Sequence, residues 1–181
     1  LRVNADTFTL YYNGNDGVRP ISSASDDATK WAQVSDDQCV ATVKDNSVIG
    51  FFKEGYAVDY WTENADGSGE KYYEGNQITL AADKNVYAHW TAAYSITFVP
   101  DYPDGATVTS GTMGTQNIAI DDTKPLNANQ YKCKGYRFAG WSSVVVQETT
   151  TAPAILTGTY VPTANVTLYA VYTREETVSG G

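Results

Sequence analysis

The sequence is short of the residues on which most enzyme chemistry runs. Histidine occurs once in 181 residues, as His89, and methionine once. Nucleophilic catalysis needs a base held beside a nucleophile and an orienting group. His89 lies between Ala88 and Trp90 in an alternating run, on the side opposite the apolar positions, and reads as a solvent-facing strand histidine. Cysteine occurs twice, as Cys39 and Cys133. Two are too few for a disulfide framework and too far apart for a cysteine zinc site. They fall in different halves, so pairing would staple the halves together; the other reading is two separate, mostly buried thiols. No stretch approaches the roughly 18 apolar residues of a membrane span, so no membrane insertion is expected in this segment. No leader-like segment opens the chain, which reads as an interior piece and leaves secretion open. Positive charge is scarce as well: 12 Lys and Arg stand against 21 Asp and Glu, a formal net charge of −9. An acidic chain repels phosphate, which disfavours nucleic acid and anionic membrane surfaces as partners.

What is present points to strands. The chain has 42% hydrophobic residues, enough for a packed core rather than disorder. Fourteen Tyr, five Phe and four Trp, together with frequent Val, Ile and Thr, suit half-buried pleated surfaces. The charge is uneven. Residues 1–92 hold fourteen acidic against seven basic residues, or −7; residues 93–181 hold seven against five, or −2.

The chain repeats itself. Gly55-Tyr56-Ala57-Val58-Asp59-Tyr60-Trp61 matches Gly135-Tyr136-Arg137-Phe138-Ala139-Gly140-Trp141 in a Gly-Tyr-x-apolar-x-x-Trp pattern. Val86-Tyr87-Ala88-His89-Trp90 follows the first copy and Leu168-Tyr169-Ala170-Val171-Tyr172 the second. Phe8-Thr9-Leu10-Tyr11-Tyr12 precedes the first, and Ile96-Thr97-Phe98-Val99-Pro100 is aligned with it before the second. The order is the same in both halves, which predicts one module over 1–92, a second over 93–174 and a tail over 175–181.

Each signature alternates as a strand. Val86, Ala88 and Trp90 are expected on the core face, as are Leu168, Ala170 and Tyr172, with Phe8, Leu10 and Tyr12 on one face of the opening strand. Asn13-Gly14, Asp16-Gly17, Asp66-Gly67 and Asp104-Gly105 mark tight turns. The halves differ in the middle. Ser25-Asp26-Asp27 before Ala28, Trp31 and Ala32, at i, i+3 and i+4, predicts a short helix over 25–34 in the first module. Glu148–Thr151 and Pro153 predict a loop in the second.

At these residues the pattern resembles the Listeria–Bacteroides repeat, also called the internalin B-repeat family. Both anchor motifs carry the resemblance, with Thr7-Phe8-Thr9-Leu10-Tyr11-Tyr12-Asn13-Gly14 similar to the family's opening strand and turn. This sequence departs from the pattern in three places. Asp59-Tyr60 replaces the usual residue-plus-Gly before Trp61, Tyr172 replaces a final Trp, and the Asn-Gly-Gly turn is missing from the second module. The resemblance implies a mainly β, β-grasp-like module with mixed and antiparallel strands, repeated in tandem in surface or secreted proteins of Gram-positive and gut bacteria. It implies spacer or adhesive roles. The expected partners are neighbouring domains of a larger protein and a host protein or glycan, at the cell surface or cell wall. It brings no catalytic residues.

Site chemistry is correspondingly thin. The pairs Asp26/Asp27, Asp36/Asp37, Asp121/Asp122 and Glu175/Glu176 sit in polar, loop-like sequence and read as solvated turns or caps rather than a glycosidase pair. Asn64–Glu70 has oxygen ligands around a glycine but lacks the length and closing Glu of a calcium loop. No catalytic, cofactor or metal-binding residue is expected. The alternative to a spacer or adhesion module is a carbohydrate-binding module. Its candidate rings lie off the predicted core face: Tyr11, Tyr72 and Tyr102, with Tyr73, Tyr87 and Tyr169 as further candidates.

Overall fold

The computed structural model describes residues 6–146 and 156–176. The expected loop at Glu148–Thr151 and Pro153, and the end of the expected tail, lie outside these residues. The described chain is mainly β, with mixed and antiparallel pairing, and divides into two compact units, Leu1–Ala92 and Ala93–Gly181.

In the first unit, β1 (Thr9–Asn13), β2 (Lys30–Val34), β3 (Val40–Thr42), α1 (Asn46–Ile49), β4 (Tyr56–Thr62), β5 (Lys71–Tyr72), β6 (Gln77–Thr79) and the first part of β7 (Lys84–Val99) follow in order. The main sheet runs β2-β1-β7-β4-β5. Its central pair, β1 with β7, is parallel, and every other pair in it is antiparallel. β3 and β6 form a small antiparallel pair. One sheet face is covered. Leu10, Tyr12, Trp61, Val86 and Ala88 point into a core completed by Ala41, Val43, Ile49, Phe51 and Leu80. Burying each large side chain contributes about 1.5–3 kcal/mol. Trp61 is the hub. Tyr12 meets its ring edge-on at 4.9 Å, Phe51 at 6.1 Å, and its indole N–H donates to the Lys44 carbonyl at 3.1 Å.

In the second unit, the rest of β7 is followed by β8 (Val108–Ser110), β9 (Gln116–Ala119), β10 (Lys124–Pro125), β11 (Lys132–Cys133), β12 (Tyr136–Ser142), β13 (Thr159–Tyr160) and β14 (Val166–Arg174). Its sheet runs β9-β7-β14-β12, again with a parallel central pair, β7 with β14, flanked by antiparallel ones. Ile96, Phe98, Ile118, Tyr131, Trp141, Leu168 and Ala170 fill its core. The second unit thus rebuilds the strand order of the first.

Two sequence expectations are corrected. No helix forms over 25–34: Lys30–Val34 is β2, paired with β1 from Thr9↔Val34 to Asn13↔Lys30. Trp31 and Gln33 are half-buried while Lys30, Ala32 and Val34 are exposed, a period of two that overrides the helical spacing of Ala28, Trp31 and Ala32. The acidic pair does not cap a helix either, since Asp27 closes a turn by accepting from the Thr29 backbone N–H at 2.8 Å and its hydroxyl at 2.6 Å. The first module's short helix is α1 instead. Asp45 caps it by accepting from Ser47 N, and Gly50 ends it at φ 91° in the left-handed region.

The second correction concerns the opening signature. Strand pairing sets Tyr12 opposite Val86 and Phe98 opposite Leu168. Since Val86 and Leu168 are counterparts, Tyr12 corresponds to Phe98 and Leu10 to Ile96, two residues away from the sequence alignment. A slip of two leaves every side chain on its own face, so alternation is blind to it. Packing agrees with the structural register. Trp90 donates to the Gly14 carbonyl at 2.9 Å, and Tyr172 to the Pro100 carbonyl at 2.9 Å. Tyr172 therefore does the work of the missing Trp.

Candidate functional site

The Gly-Tyr-x-apolar-x-x-Trp signature encodes a bulged strand. In β4 the register against β7 shifts between Val58 and Tyr60; in β12 it shifts against β14 between Phe138 and Gly140. The extra residue, Asp59 or Ala139, opposes no partner of its own. The bulge lets the apolar residue and the Trp both serve the core despite their odd spacing. Gly55 and Gly135 directly precede these strands at φ 78° and 83°, where a side chain is strained.

The bulge also re-aims its neighbours onto the outer face of the first unit's sheet. Asp59 Oδ1 accepts from the Tyr60 backbone N–H at 3.0 Å and lies 2.6 Å from His89 Nδ1. Tyr60 pairs across the strands with His89, and their rings stack at 4.2 Å with 7° between planes. The Lys71 ammonium lies 4.9 Å from the Tyr60 ring centre, and Tyr73 packs against the same ring at 5.3 Å. Tyr73 is exposed and Tyr60 and His89 are half-exposed. Such a stack stabilises by about 0.5–1.5 kcal/mol, and the exposed His–Asp contact by about 0.2–1 kcal/mol. Tyr87 lies on the same face, opposite Thr62, as does Tyr11, whose ring has Lys30 at 5.9 Å. The outcome is a sheet face of aromatic rings with a carboxylate, an imidazole and an ammonium among them.

The sequence-derived candidates fall in different places. Tyr11 belongs to this outer face. Tyr72 stands opposite Trp61 on β5, packs against the first core and has Lys84 5.6 Å from its ring. Tyr102 packs against the second core, between Tyr131 at 6.2 Å and Tyr172 at 5.8 Å, with its hydroxyl donating to the Ser110 carbonyl at 3.0 Å. Tyr11 and Tyr72 thus lie on opposite faces of the first unit's sheet, and Tyr102 belongs to the second unit. Asp59, Tyr60, Lys71 and His89 were missed by sequence reasoning, because only the cross-strand register makes neighbours of residues 59 and 89. The available signal was the departure of Asp59-Tyr60 from the residue-plus-Gly pattern.

Elsewhere the polar groups serve the fold. Burial pushes the phenols of Tyr12, Tyr131 and Tyr172 and the thiol of Cys133 above their ordinary ranges. Partial burial, and then the neighbouring Asp104, raise Asp101. Asp27 and Asp66 are lowered by hydrogen bonds from the side chain and then the backbone of Thr29 and Ser68, both within turns. Cys39 and Cys133 are both free thiols. No cluster of three potential metal ligands occurs among the described residues, and no helix there is long and apolar enough to cross a membrane.

No curated protein and no solved structure matches the chain significantly. The family model for the Listeria-Bacteroides repeat domain matches residues 8–89 and again 94–171. Its two starts are Phe8 and Tyr94, the same offset as the structural pairing of Leu10 with Ile96. Repeated strand order, paired bulges and two family matches converge: the chain belongs to the Listeria-Bacteroides repeat domain family, as two tandem copies.

Proposed function

We propose that this chain is a non-catalytic, extracellular segment of a bacterial surface protein, acting as a spacer and adhesion module for a larger molecule. The observation that carries this reading is the rebuilding of one module by the other: the same strand order, bulge and tryptophan hub, matched twice by one repeat-domain family. Duplication of a self-contained β unit extends a chain without adding chemistry. The mixed sheet with a parallel central pair supports the β-grasp-like reading of each copy. The one imidazole, with Asp59 as hydrogen-bond partner and Tyr60 as stacking partner, fits a structural or binding role better than catalysis.

The test uses the full-length protein in its native bacterium. Antibody against this segment should label intact cells. Deleting both modules should weaken attachment to host cells or matrix. Replacing them with an unrelated rigid segment of equal length separates the roles: restored attachment identifies a spacer, and a persistent loss identifies adhesion. Labelling only after cell lysis would overturn the proposal.

A further inference from the structure

We propose that the outer face of the first unit holds a binding site for neutral glycan chains, built around Tyr60, His89, Asp59, Lys71 and Tyr73. The inference goes beyond the spacer reading and does not depend on it, since a spacer needs no ligand.

The second unit is an internal control. Strand pairing puts Gly140 where the first unit has Tyr60, Val171 where it has His89, and Thr97 where it has Tyr11. The same strand order and hub tryptophan form with those small or aliphatic residues. The Tyr60, His89 and Tyr11 rings are therefore not required by the fold, whereas Tyr87 keeps a counterpart in Tyr169. The outer-face rings are concentrated at one place: the bulge and the strand beside it.

The chemistry of the cluster selects the ligand. Axial C–H bonds of a pyranose present a weakly positive face that packs on an aromatic ring. The hydroxyls around the sugar's rim need charged or polar groups at the platform's edge. Tyr73 provides an exposed ring against the Tyr60–His89 stack, and Tyr87 lies two residues along β7 from His89 on the same face. Asp59 uses Oδ1 for both Tyr60 and His89, and these bonds leave Oδ2 for a sugar hydroxyl. The Lys71 ammonium, 4.9 Å from the Tyr60 ring centre, supplies donors at the edge of the platform. The imidazole's hydrogen bond to Asp59 fixes its plane, so the platform is organised before a ligand arrives. Charge decides among glycans. With −7 over residues 1–92, this unit repels uronate and sialylated polymers and favours neutral ones.

Affinity gel electrophoresis of the whole chain tests this, with soluble β-glucan, xyloglucan, galactomannan and chitooligosaccharide conjugates as neutral probes and polygalacturonate as the anionic one. At least one neutral probe should retard the chain. Exchanging the platform for the second unit's residues, Tyr60→Gly with His89→Val, should weaken that retardation about tenfold or more. Tyr73→Ser, at an exposed position, should weaken it independently while keeping a cooperative urea transition, which guards against a folding artefact. Tyr169→Thr, on the outer face of the second unit, should leave it unchanged. Retardation by no neutral probe, by polygalacturonate alone, or equally in wild type and a folded Tyr73→Ser chain would overturn the proposal.

Discussion

Single residues hold this fold at points where a ring meets a turn. Gly17 is the sharpest case. A Cβ there would come within 2.2 Å of the Trp90 ring, whose N–H is committed to the Gly14 and Asn15 carbonyls. Gly17→Ala should therefore destabilise the first unit by about 1–3 kcal/mol and shift the Trp90 emission, both readable in one urea titration followed by fluorescence. Buried phenols make a second prediction. Tyr12, Tyr131 and Tyr172 resist ionisation in the folded chain, chiefly through burial. The unfolded chain releases these protons near pH 10, and the folded chain holds them to higher pH. Stability is then whole below about pH 10 and falls as pH rises towards the raised folded values. An alkaline titration read at the tyrosinate absorbance band should show a late phase coinciding with loss of near-ultraviolet circular dichroism. The thiols supply the third. Cys39 is half-exposed, whereas Cys133 is buried with its thiol pushed up, which lowers its reactive thiolate. One thiol per native chain should react quickly with a chromogenic disulfide, and both should react in denaturant.

At the scale of elements, β2 is an edge, and its register says which groups face outward. Ser35 N donates to the Phe8 carbonyl and Gly14 N to the Thr29 carbonyl, so Trp31 and Gln33 share hydrogen-bonded pairs with β1 and Ala32 does not. Ala32→Pro should consequently be far milder than Gln33→Pro, which removes a ladder bond and costs about 3 kcal/mol or more; urea midpoints of the two variants check this. The same strand shows what the sequence could and could not tell. Alternation gave the core faces of β1, β7 and β14 correctly, because one face of each is apolar and buried. It failed at Lys30–Val34, where a single large ring, Trp31, satisfies a helical or a strand pattern equally well. It failed again in aligning the opening strands, where a two-residue slip changes no face. The outer-face cluster was illegible for a related reason: a bulge changes which residues are neighbours, and a bulge is a property of pairing rather than of one strand. The residue that marked it, Tyr60 in place of glycine, was visible as a departure but not as a partner of His89.

For the whole molecule, each unit carries its own core. The buried and packed members of the first cluster run from Phe8 to Trp90, and those of the second from Ile96 to Tyr172. A fragment of residues 6–92 should fold alone and unfold in one cooperative urea transition, with Trp61 buried as in the full chain. Loss of its near-ultraviolet signal in isolation would show that the first core needs more than its own residues. This modularity frees the outer face to vary. A hub of Trp61, Tyr12 and Phe51 defines one unit, and Trp141 with Phe98 and Tyr131 the other, while the rings on the outer face lie outside both cores.

The turn after β1 bears on how such a molecule ages. Asn-Gly is the dipeptide most prone to spontaneous deamidation, in which the following nitrogen attacks the side-chain amide carbon. Here the Asn13 amide donates to the Tyr11 and Val86 carbonyls and to the Asn85 side chain, and Gly14 N is engaged with the Thr29 carbonyl at 2.8 Å. Both reactants are pinned, so the clock set by the sequence runs slowly for as long as the sheet stays closed.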